Sequence, residues 1–379
     1  MSESALQRCV GDVDAFFDRY WAQAPLLRRP GDTGAAAFDD LASLDDLDRM
    51  VASLGLRASS LRMVKDGKTL PPSQYTSGGQ GTRQIEALIS GALVYQRYSE
   101  GATIVLESLH RCWEPLTDFC RELEISLGHR IQVNAYVTPP GSQGFDVHRD
   151  GHDVFVLQVW GAKHWIVYDR QDEERVIVDE DIERGASLYI PEGFPHAATT
   201  GDAASAHLTV GILTHDSIDI LRELTKLAEE QPTFKQRLDV GSARDGATLR
   251  ALVERHMAGV RDWLDKVDID ELTERVARRM LSTSQPITRG LLRRLERLDT
   301  IDENTMLVRR RGAMCVLFPK DTVLKVMLAD RELEMPLVAR AAMEEIATRD
   351  GVSARDLHAL LDSQSALVLV RRLVREGLL

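Results

Sequence analysis

The sequence predicts an α+β protein in which an antiparallel β-sandwich or barrel follows N-terminal helices and precedes a largely helical region. Three observations support this fold class. Short apolar strands separated by turns containing Gly and Pro fill residues 130–213. Strong helical periodicity then follows in residues 217–230 and 247–267. Residues 286–379 mix strand and helix patterns, which indicates a further domain.

The composition is typical of soluble globular proteins. Of 379 residues, 44% are hydrophobic and 28% are charged. No apolar run approaches the ~20 residues that cross a bilayer, so we expect no membrane span. The N-terminus lacks the basic start and apolar core of a signal peptide. The four cysteines form no CxxC pair, which argues against a disulfide framework or a Cys-rich zinc site and favours the reducing cytoplasm.

The charge of the chain is unevenly distributed. Residues 1–270 carry a net charge of −15 and residues 271–379 a net charge of +3, which gives −12 overall. Because acidic surfaces repel phosphate backbones, we expect no direct binding of nucleic acid by the larger part. The weak positive charge of the smaller part is not sufficient to predict such binding.

Helices are predicted for the first part of the chain. Residues 12–20 place apolar side chains at helical spacing, with Asp12 as a candidate N-cap. Residues 44–54 and 118–127 are predicted as further helices. The glycine-rich residues 77–82 are interpreted as a flexible loop or a lid over the substrate. They do not fit a phosphate-binding loop, because no strand precedes them and no Lys-Ser/Thr pair follows.

Strands are predicted from residue 130 onward. Residues 131–137 alternate between polar and apolar side chains, which is typical of a strand with one face toward solvent. Residues 154–159 are almost continuously apolar and are predicted as a second strand. The remaining predicted strands are residues 165–168, 175–178, 186–190 and 207–213. Together with the N-terminal helices they define a first domain, residues 1–215.

A helical domain, residues 216–285, is predicted next. Its helices are too few to enclose a large core, so they pack either on another subunit or on the barrel of their own chain. Residues 286–379 resemble a winged helix. The predicted helices of this last domain are residues 336–347, 354–361 and 365–375. The final one is so rich in Val and Leu that a packed position is favoured over a DNA groove, despite its three arginines.

The strongest chemical signal is the sequence His148-Arg149-Asp150. In an extended chain, residues i and i+2 point to the same side, so an imidazole and a carboxylate converge. The turn that follows the strand ending at residue 190 delivers His196 as a third ligand. Two histidines and one carboxylate leave coordination positions open and suit non-haem Fe(II).

Other interpretations of these residues stay open. His152 lies on the same side of the segment as His148 and is an alternative ligand. His148 and His196 can also be ordinary hydrogen-bonded histidines, with Asp150 as a turn residue. Lys163 follows a glycine turn and is a candidate partner for the distal carboxylate of a 2-oxoacid that chelates the metal. The alternative for Lys163 is a solvated lysine in a turn.

Several segments together resemble the JmjC ribosomal oxygenases. Residues 133–145 read VNAYVTPPGSQGF, and residues 154–165 read VFVLQVWGAKHW, with HRD between them. Residues 17–27 (FDRYWAQAPLL) and 61–76 (LRMVKDGKTLPPSQYT) are also similar to that family. The likeness covers approximately residues 15–215. The later regions match in order only.

The resemblance implies a fold and an activity. The fold is the cupin double-stranded β-helix, followed by a helical dimerisation domain and a winged-helix-like domain. The activity is Fe(II)- and 2-oxoglutarate-dependent hydroxylation of a protein side chain with O2, commonly an arginine or a histidine of a ribosomal protein. The implied iron ligands are His148, Asp150 and His196. Lys163 is implied to pair with the 2-oxoglutarate C5 carboxylate. The residues implied to line the co-substrate pocket are Asn134, His207 and Thr209.

Other functions are compatible with the same sequence features. The same iron site serves a JmjC N-methyl-lysine demethylase or a peptide hydroxylase. A non-enzyme alternative is a transcriptional regulator with a cupin sensor and a DNA-binding winged helix. Asp146 and Asp153 are candidates for attracting a basic ribosomal tail. Their alternative interpretation is that of solvated charges at a strand edge.

Overall fold

The computed structural model describes residues 3–32, 38–77, 87–281, 286–310 and 312–379. The chain forms two compact units, Met1–Thr214 and His215–Leu379. Of the predicted glycine-rich loop, only Ser77 falls among the described residues. The predicted domain boundary at residue 285 also lies outside them, so the division of the second unit into two domains stays a prediction.

Helices of the first unit begin at polar capping residues where the sequence supplies them. The helices are α1 (Ala5–Val10), α2 (Val13–Arg19), α3 (Leu44–Ser53), α4 (Gly91–Ser99) and α5 (Glu114–Leu127). The Asp12 side chain accepts a hydrogen bond from the backbone N–H of Ala15 at 3.0 Å, which confirms the predicted N-cap of α2. Helix α5 begins four residues before the predicted start, because Pro115 is well tolerated in a first helical turn.

The strands of the first unit form two main antiparallel sheets. They are β1 (Leu26–Arg28), β2 (Leu61–Lys65), β3 (Lys68–Thr69), β4 (Thr76–Ser77), β5 (Leu88–Ile89), β6 (Thr103–Leu106), β7 (Arg130–Thr138), β8 (Asp153–Trp160), β9 (Ala162–Tyr168), β10 (Val176–Glu183), β11 (Ser187–Ile190), β12 (His196–Thr199) and β13 (Ser205–Leu213). The large sheet has the order β1-β11-β8-β13-β7-β6-β2-β3, and the small sheet has the order β10-β9-β12. Strands β4 and β5 pair separately.

Strand β8 shows how the sheets pack. Phe155 and Leu157 belong to the core that the large sheet shares with the helices. Val154 and Val156 belong to a second core, which also contains Trp165 of the small sheet. Both faces of β8 are therefore covered, and this explains its continuous apolar run. The arrangement confirms the predicted cupin-type sandwich.

A glycine turn moves the chain from the large sheet to the small one. Gly161, between β8 and β9, has a φ of 64°. A Cβ atom at this position would lie 2.3 Å from the carbonyl oxygen of Ala204. Both the positive φ and the close approach require glycine. The turn starts β9 with the register that directs Lys163 and Trp165 toward the interior between the sheets.

The second unit contains both helices and short strands. Its elements are α6 (Ser217–Glu230), α7 (Gly246–Leu264), α8 (Ile269–Leu281), α9 (Leu291–Glu296), β14 (Leu307–Val308), β15 (Cys315–Lys320), β16 (Val323–Leu328), β17 (Glu332–Pro336), α10 (Arg340–Thr348), β18 (Gly351–Val352) and α11 (Ser363–Glu376). Strands β15, β16 and β17 form an antiparallel sheet, and β14 pairs with β18. Arg279 of α8 forms a 2.8 Å ion pair with Asp219 of α6.

Two features of the second unit bear on the predictions. The predicted helix 354–361 is wrong, because only the 3-10 turn Arg355–Leu357 forms there. Helix α11 is packed as predicted: Leu369, Val370 and Leu373 are buried in the core of this region. Two of its arginines donate to backbone carbonyls instead of facing solvent as a free basic surface. No helix in the described part of the chain has the length and hydropathy needed to cross a bilayer.

Candidate active site

A cavity lies between the two sheets of the first unit. The large sheet contributes Val154 and Thr209 to its wall, and the small sheet contributes Lys163 and Trp165. His148, Asp150 and His196 lie at the same cavity. Six of the seven residues singled out in the sequence therefore line one cavity, and only Asn134 does not.

Three potential metal ligands converge at this cavity. The ligand atoms of His148, Asp150 and His196 all lie within 4.8 Å of one another. The two imidazole ring centroids are 4.4 Å apart. The Asp150 carboxylate lies 3.9 Å from Nε2 of His148 and 3.6 Å from Nε2 of His196. In the part of the chain that the structure describes, these three side chains are the His, Cys, Asp or Glu residues that lie close enough together to hold a metal ion.

The backbone holds the first and third of these residues together. His148 and His196 form an isolated antiparallel bridge. The N–H of His148 donates to the carbonyl of His196 at 3.1 Å, and the N–H of His196 donates to the carbonyl of His148 at 2.9 Å. The segment that carries His148 and Asp150 is extended without being part of a regular strand. The i, i+2 geometry still applies, because it depends on extension alone.

Each histidine has one ring nitrogen fixed by a carbonyl. Nδ1 of His148 lies 2.9 Å from the carbonyl oxygen of Asp146, and Nδ1 of His196 lies 3.0 Å from that of Phe194. A carbonyl only accepts, so Nδ1 carries the proton and Nε2 keeps its lone pair for the cavity. Burial lowers the pKa of His196, which favours the neutral form that binds metals.

The alternative ligand His152 faces elsewhere. Its Nε2 atom lies 2.6 Å from the position that a Cβ atom of Gly211 would occupy, on strand β13. His152 is not a member of the ligand cluster.

The turn before His196 contains a glycine with positive φ, Gly193 at 80°. The N–H of Gly193 donates to the carbonyl of Asp150 at 3.1 Å.

Lys163 lies deep in the cavity. It is 4% exposed, and its Nζ donates to the hydroxyl of Thr138 at 3.1 Å. In the described parts of the chain it forms no ion pair. Burial lowers the pKa of Lys163 to about 7. Lys163 is therefore not a solvated lysine in a turn. An anion would stabilise its buried ammonium group.

The three remaining predicted residues lie in different surroundings. His207 is buried and stacks on Tyr136 with ring centroids 4.9 Å apart, and its Nδ1 has no hydrogen-bond partner among the described residues. Burial and the neighbouring Lys163 hold the pKa of His207 well below its usual range, so it is neutral. Thr209 also faces the cavity. Asn134 instead accepts a hydrogen bond from the N–H of Ser108 at 2.9 Å.

Several residues of the site were not predicted from the sequence. Tyr136 and Phe145 add aromatic walls to the cavity, and Arg62 lies 5.4 Å from the Phe145 ring centroid. Alternation on β7 marks Tyr136 as sharing a face with Asn134, which was the available signal for it. The same alternation places Thr138 on that face, whereas Arg62 depends on the pairing of β2 with β6, which no local pattern reveals.

One sequence interpretation is corrected by burial. Asp153 was considered a surface charge, either solvated or attracting a basic tail. It is instead 3% exposed and hydrogen-bonded within the first unit. Asp146 is exposed, in agreement with a surface position.

Comparison with known proteins places this site in a named domain. Residues 113–220 match the family model of the JmjC domain. Ribosomal oxygenase 1 of Gallus gallus is 28% identical over 306 residues, which cover 72% of this chain and 49% of that protein. The bifunctional lysine-specific demethylase and histidyl-hydroxylase NO66 of Drosophila grimshawi is 28% identical over 248 residues, covering 60% of this chain and 33% of that protein. The chain thus spans a third to a half of the length of these curated relatives.

Solved structures show the same fold over nearly the whole chain. The ribosomal oxygenase YcfD from Escherichia coli, in complex with cobalt and 2-oxoglutarate, has a TM-score of 0.60 and 19% identity, covering 96% of both chains. A crystal structure of the same enzyme gives a TM-score of 0.59 with 20% identity and covers 98% of both chains. The fold, the matched domain and the named relatives agree. The chain carries a JmjC domain and is a homologue of the proteins named ribosomal oxygenases.

Proposed function

We propose that this chain is an Fe(II)- and 2-oxoglutarate-dependent dioxygenase that hydroxylates a side chain of a ribosomal protein. One observation carries the proposal. A cluster of two imidazoles and one carboxylate shares a cavity with a buried lysine that has no carboxylate partner in the parts of the chain that the structure describes. The cluster fits a divalent cation, and the lysine fits the far end of a dicarboxylate. A single cavity thus accommodates both a metal and a 2-oxoacid.

The donor set supports iron as the metal. His148, Asp150 and His196 provide two neutral nitrogens and one anionic oxygen, a set that suits non-haem Fe(II). The carbonyls that fix Nδ1 of both histidines also fix the direction of Nε2. Only one carboxylate offsets the charge of the ion, so an anionic co-substrate is favoured in the same cavity.

The proposed co-substrate site is the part of the cavity around Lys163. A charge-assisted hydrogen bond from Nζ to the C5 carboxylate of 2-oxoglutarate would supply the missing anion. His207 adds no competing positive charge, because it is neutral. Thr209 lies on the same wall as His207. Asn134 is not part of this wall, and its side chain accepts a hydrogen bond from the N–H of Ser108 instead.

The residues around the cavity prepare the reaction by binding and by excluding water. Fe(II) held by the three ligands would activate O2, so that one oxygen atom enters a C–H bond of the substrate and the other enters succinate as 2-oxoglutarate loses CO2. Val154, Val156 and Trp165 form apolar walls that keep the cavity dry. Lys163 and Thr138 orient the co-substrate, and His148, the most exposed ligand, lies on the side from which a protein substrate would approach.

The proposed substrate class rests on the relatives. Ribosomal oxygenase 1 and YcfD carry that activity in their names. The test is mass spectrometry of ribosomal proteins from cells with and without the gene. We expect a gain of one oxygen atom on one residue, an arginine or a histidine, that returns with the wild-type gene but not with His148→Ala. If no ribosomal protein differs between the strains, this substrate class is wrong.

A second candidate activity is N-methyl-lysine demethylation. The relatives named NO66 are described as both lysine-specific demethylases and histidyl-hydroxylases. Hydroxylation of an N-methyl group uses the same metal site, so the ligands do not separate the two activities. The product does: a hydroxylase adds one oxygen atom, whereas a demethylase removes one methylene unit and releases formaldehyde.

The second unit is proposed to serve assembly. Helix α7 exposes Leu249, Val253 and Met257, which recur every four residues and form one apolar stripe. We propose that residues 216–285 form a homodimer through such surfaces and that residues 286–379 are a winged-helix-like domain that does not bind nucleic acid. The protein is proposed to act in the cytoplasm, where ribosomes are found. Light scattering of the full chain tests the dimer, and a monomer would contradict it.

A further inference from the structure

The turn that presents His196 is held by the same segment that carries the other two ligands. The N–H of Glu192 donates to Oδ1 of Asp153 at 2.7 Å. The N–H of Gly193 donates to the carbonyl of Asp150 at 3.1 Å. The guanidinium of Arg149 donates to the carbonyl of Gly193 at 2.7 Å. Three backbone groups of one short turn are thus bonded to residues 149–153.

Asp153 differs from the other two contributors because it is buried. It is 3% exposed, and in the described parts of the chain it forms no ion pair. Its carboxylate accepts two hydrogen bonds, from the N–H of Glu192 and from the hydroxyl of Tyr189 at 2.5 Å. A buried carboxylate without a cation costs stability in most settings. The role of Asp153 is therefore to orient its partners: its two short hydrogen bonds fix the backbone N–H of Glu192 and the hydroxyl of Tyr189.

Tyr189 extends this network to the N-terminal segment. It is 1% exposed, and its oxygen accepts a hydrogen bond from the N–H of Ala22 at 2.9 Å. Its ring stacks on Trp21 and meets Phe16 edge to face. Burial and the Asp153 carboxylate raise the pKa of Tyr189, so the hydroxyl stays protonated and donates to Asp153. A continuous path of contacts joins residues 16–22 to the turn before His196.

We propose that Asp153 is a positioning residue for the metal centre, which places His196 by holding the 191–195 turn and is itself oriented by Tyr189. The inference rests on the proposed function, because it concerns the same metal site. It assigns a role in metal binding to a residue that is not a ligand. It also connects the aromatic N-terminal segment to that site.

The test is Co(II) affinity of the full-length chain, followed by the visible absorption of the bound ion. We expect Asp153→Ala to weaken Co(II) binding by roughly 10- to 100-fold, as changes in groups that orient metal ligands do. Tyr189→Phe keeps the Glu192 bond and should weaken binding by about 2- to 10-fold. Asp181→Ala is the matched control, since this carboxylate is exposed and pairs with His164. It should leave the affinity unchanged.

A merely structural role gives a different result. In that case Asp153→Ala and Tyr189→Phe lower the melting temperature of the metal-free protein but leave the Co(II) dissociation constant within about twofold of the wild type, which would overturn the inference. If Asp153→Ala does not fold, Tyr189→Phe decides by the same criterion. In a His196→Ala background, Asp153→Ala should have little further effect on metal binding, because the two act through one ligand.

The same titration separates this inference from the proposed function. A wild-type chain that binds neither Co(II) nor 2-oxoglutarate contradicts both. A wild-type chain that binds both, together with variants of unchanged affinity, contradicts the positioning role alone.

Discussion

The two ends of the cavity differ in how their polar groups are satisfied. At the metal end, each histidine has Nδ1 fixed by a carbonyl, and the backbones of His148 and His196 are bonded to each other. At the other end, Lys163 donates to the neutral hydroxyl of Thr138, and Nδ1 of His207 has no hydrogen-bond partner within the described part of the chain. The metal end is therefore complete, because protein groups orient its ligands and only a cation is missing. The Lys163 end is incomplete, because no carboxylate in the described residues pairs with Lys163 and an anion is still needed.

The largest expected effect comes from removing a ligand at the complete end. His148→Ala or Asp150→Ala should weaken Co(II) binding by more than about 100-fold, beyond the effect of groups that only orient a ligand, and should abolish 2-oxoglutarate turnover. Both are measured by metal titration and succinate release. His152→Ala is the control, because that ring lies against Gly211 and should leave both values unchanged. Turnover retained in Asp150→Ala would show that the ligand set is wrong.

A smaller effect is expected at the incomplete end. Lys163→Ala should raise the KM for 2-oxoglutarate by about 10- to 100-fold, since a hydrogen bond to a charged group contributes roughly 1.5–3 kcal/mol. Co(II) affinity without co-substrate should not change, because the two ends are satisfied independently. The exposed Lys68, changed to alanine, is the control. An unchanged KM would remove Lys163 from the co-substrate site and erase the contrast between the two ends.

The pKa of Lys163 predicts a pH dependence at that end alone. Burial lowers this pKa to about 7, so the lysine of the free protein is charged below pH 7 and increasingly neutral above it. A carboxylate binds the charged form, so 2-oxoglutarate affinity should fall above pH 7 by up to about tenfold per pH unit, with proton uptake on binding. His207 does not contribute, because its pKa lies well below this range.

Calorimetry at pH 8 in two buffers of different ionisation enthalpy measures that uptake. Lys163→Ala should abolish it. Affinity that stays constant from pH 7 to pH 9 would show that the charge of Lys163 does not change over this range, and would contradict the lowered pKa.

The smallest effect is expected from Asn134→Ala. Asn134 bonds the N–H of Ser108 and does not line the cavity, so it belongs to neither end. The change should lower the free energy of unfolding by about 1 kcal/mol through the lost hydrogen bond and raise the KM for 2-oxoglutarate by less than about threefold. Thermal unfolding and steady-state kinetics measure the two effects. A rise as large as that of Lys163→Ala would place Asn134 in the co-substrate site after all.

Local patterns were sufficient to predict the clustering of the ligands. His148 and Asp150 converge because any extended chain places residues i and i+2 on one side. The glycine turn at residue 161 correctly indicated a change of direction before Lys163. The sandwich itself followed from the number of short strands and their turns.

The remaining features depend on contacts between distant residues. The burial of Asp153 arises from the backbone of the turn near Glu192, which no pattern around residue 153 reveals. Thr138 of the large sheet meets Lys163 of the small sheet only because the two sheets pack face to face. Ser353 and Asp356 are hydrogen-bonded to each other, but the helix predicted over residues 354–361 does not form beyond one 3-10 turn. Asp362 caps the next helix, Ser363–Glu376, instead. The segment 354–361 is short, and the few hydrogen bonds it could form do not offset the cost of starting a helix.

The backbone bridge between His148 and His196 has a consequence for metal selection. The bridge is formed by backbone groups alone, so it fixes how close the two imidazoles lie, whichever ion binds. A set of two imidazoles and a carboxylate holds Co(II), Ni(II), Cu(II) and Zn(II) more tightly than Fe(II). If the proposed iron site is correct, the free metal concentrations where the chain folds would decide which ion it carries. A redox-silent Zn(II) would then act as an inhibitor by occupying the place of iron.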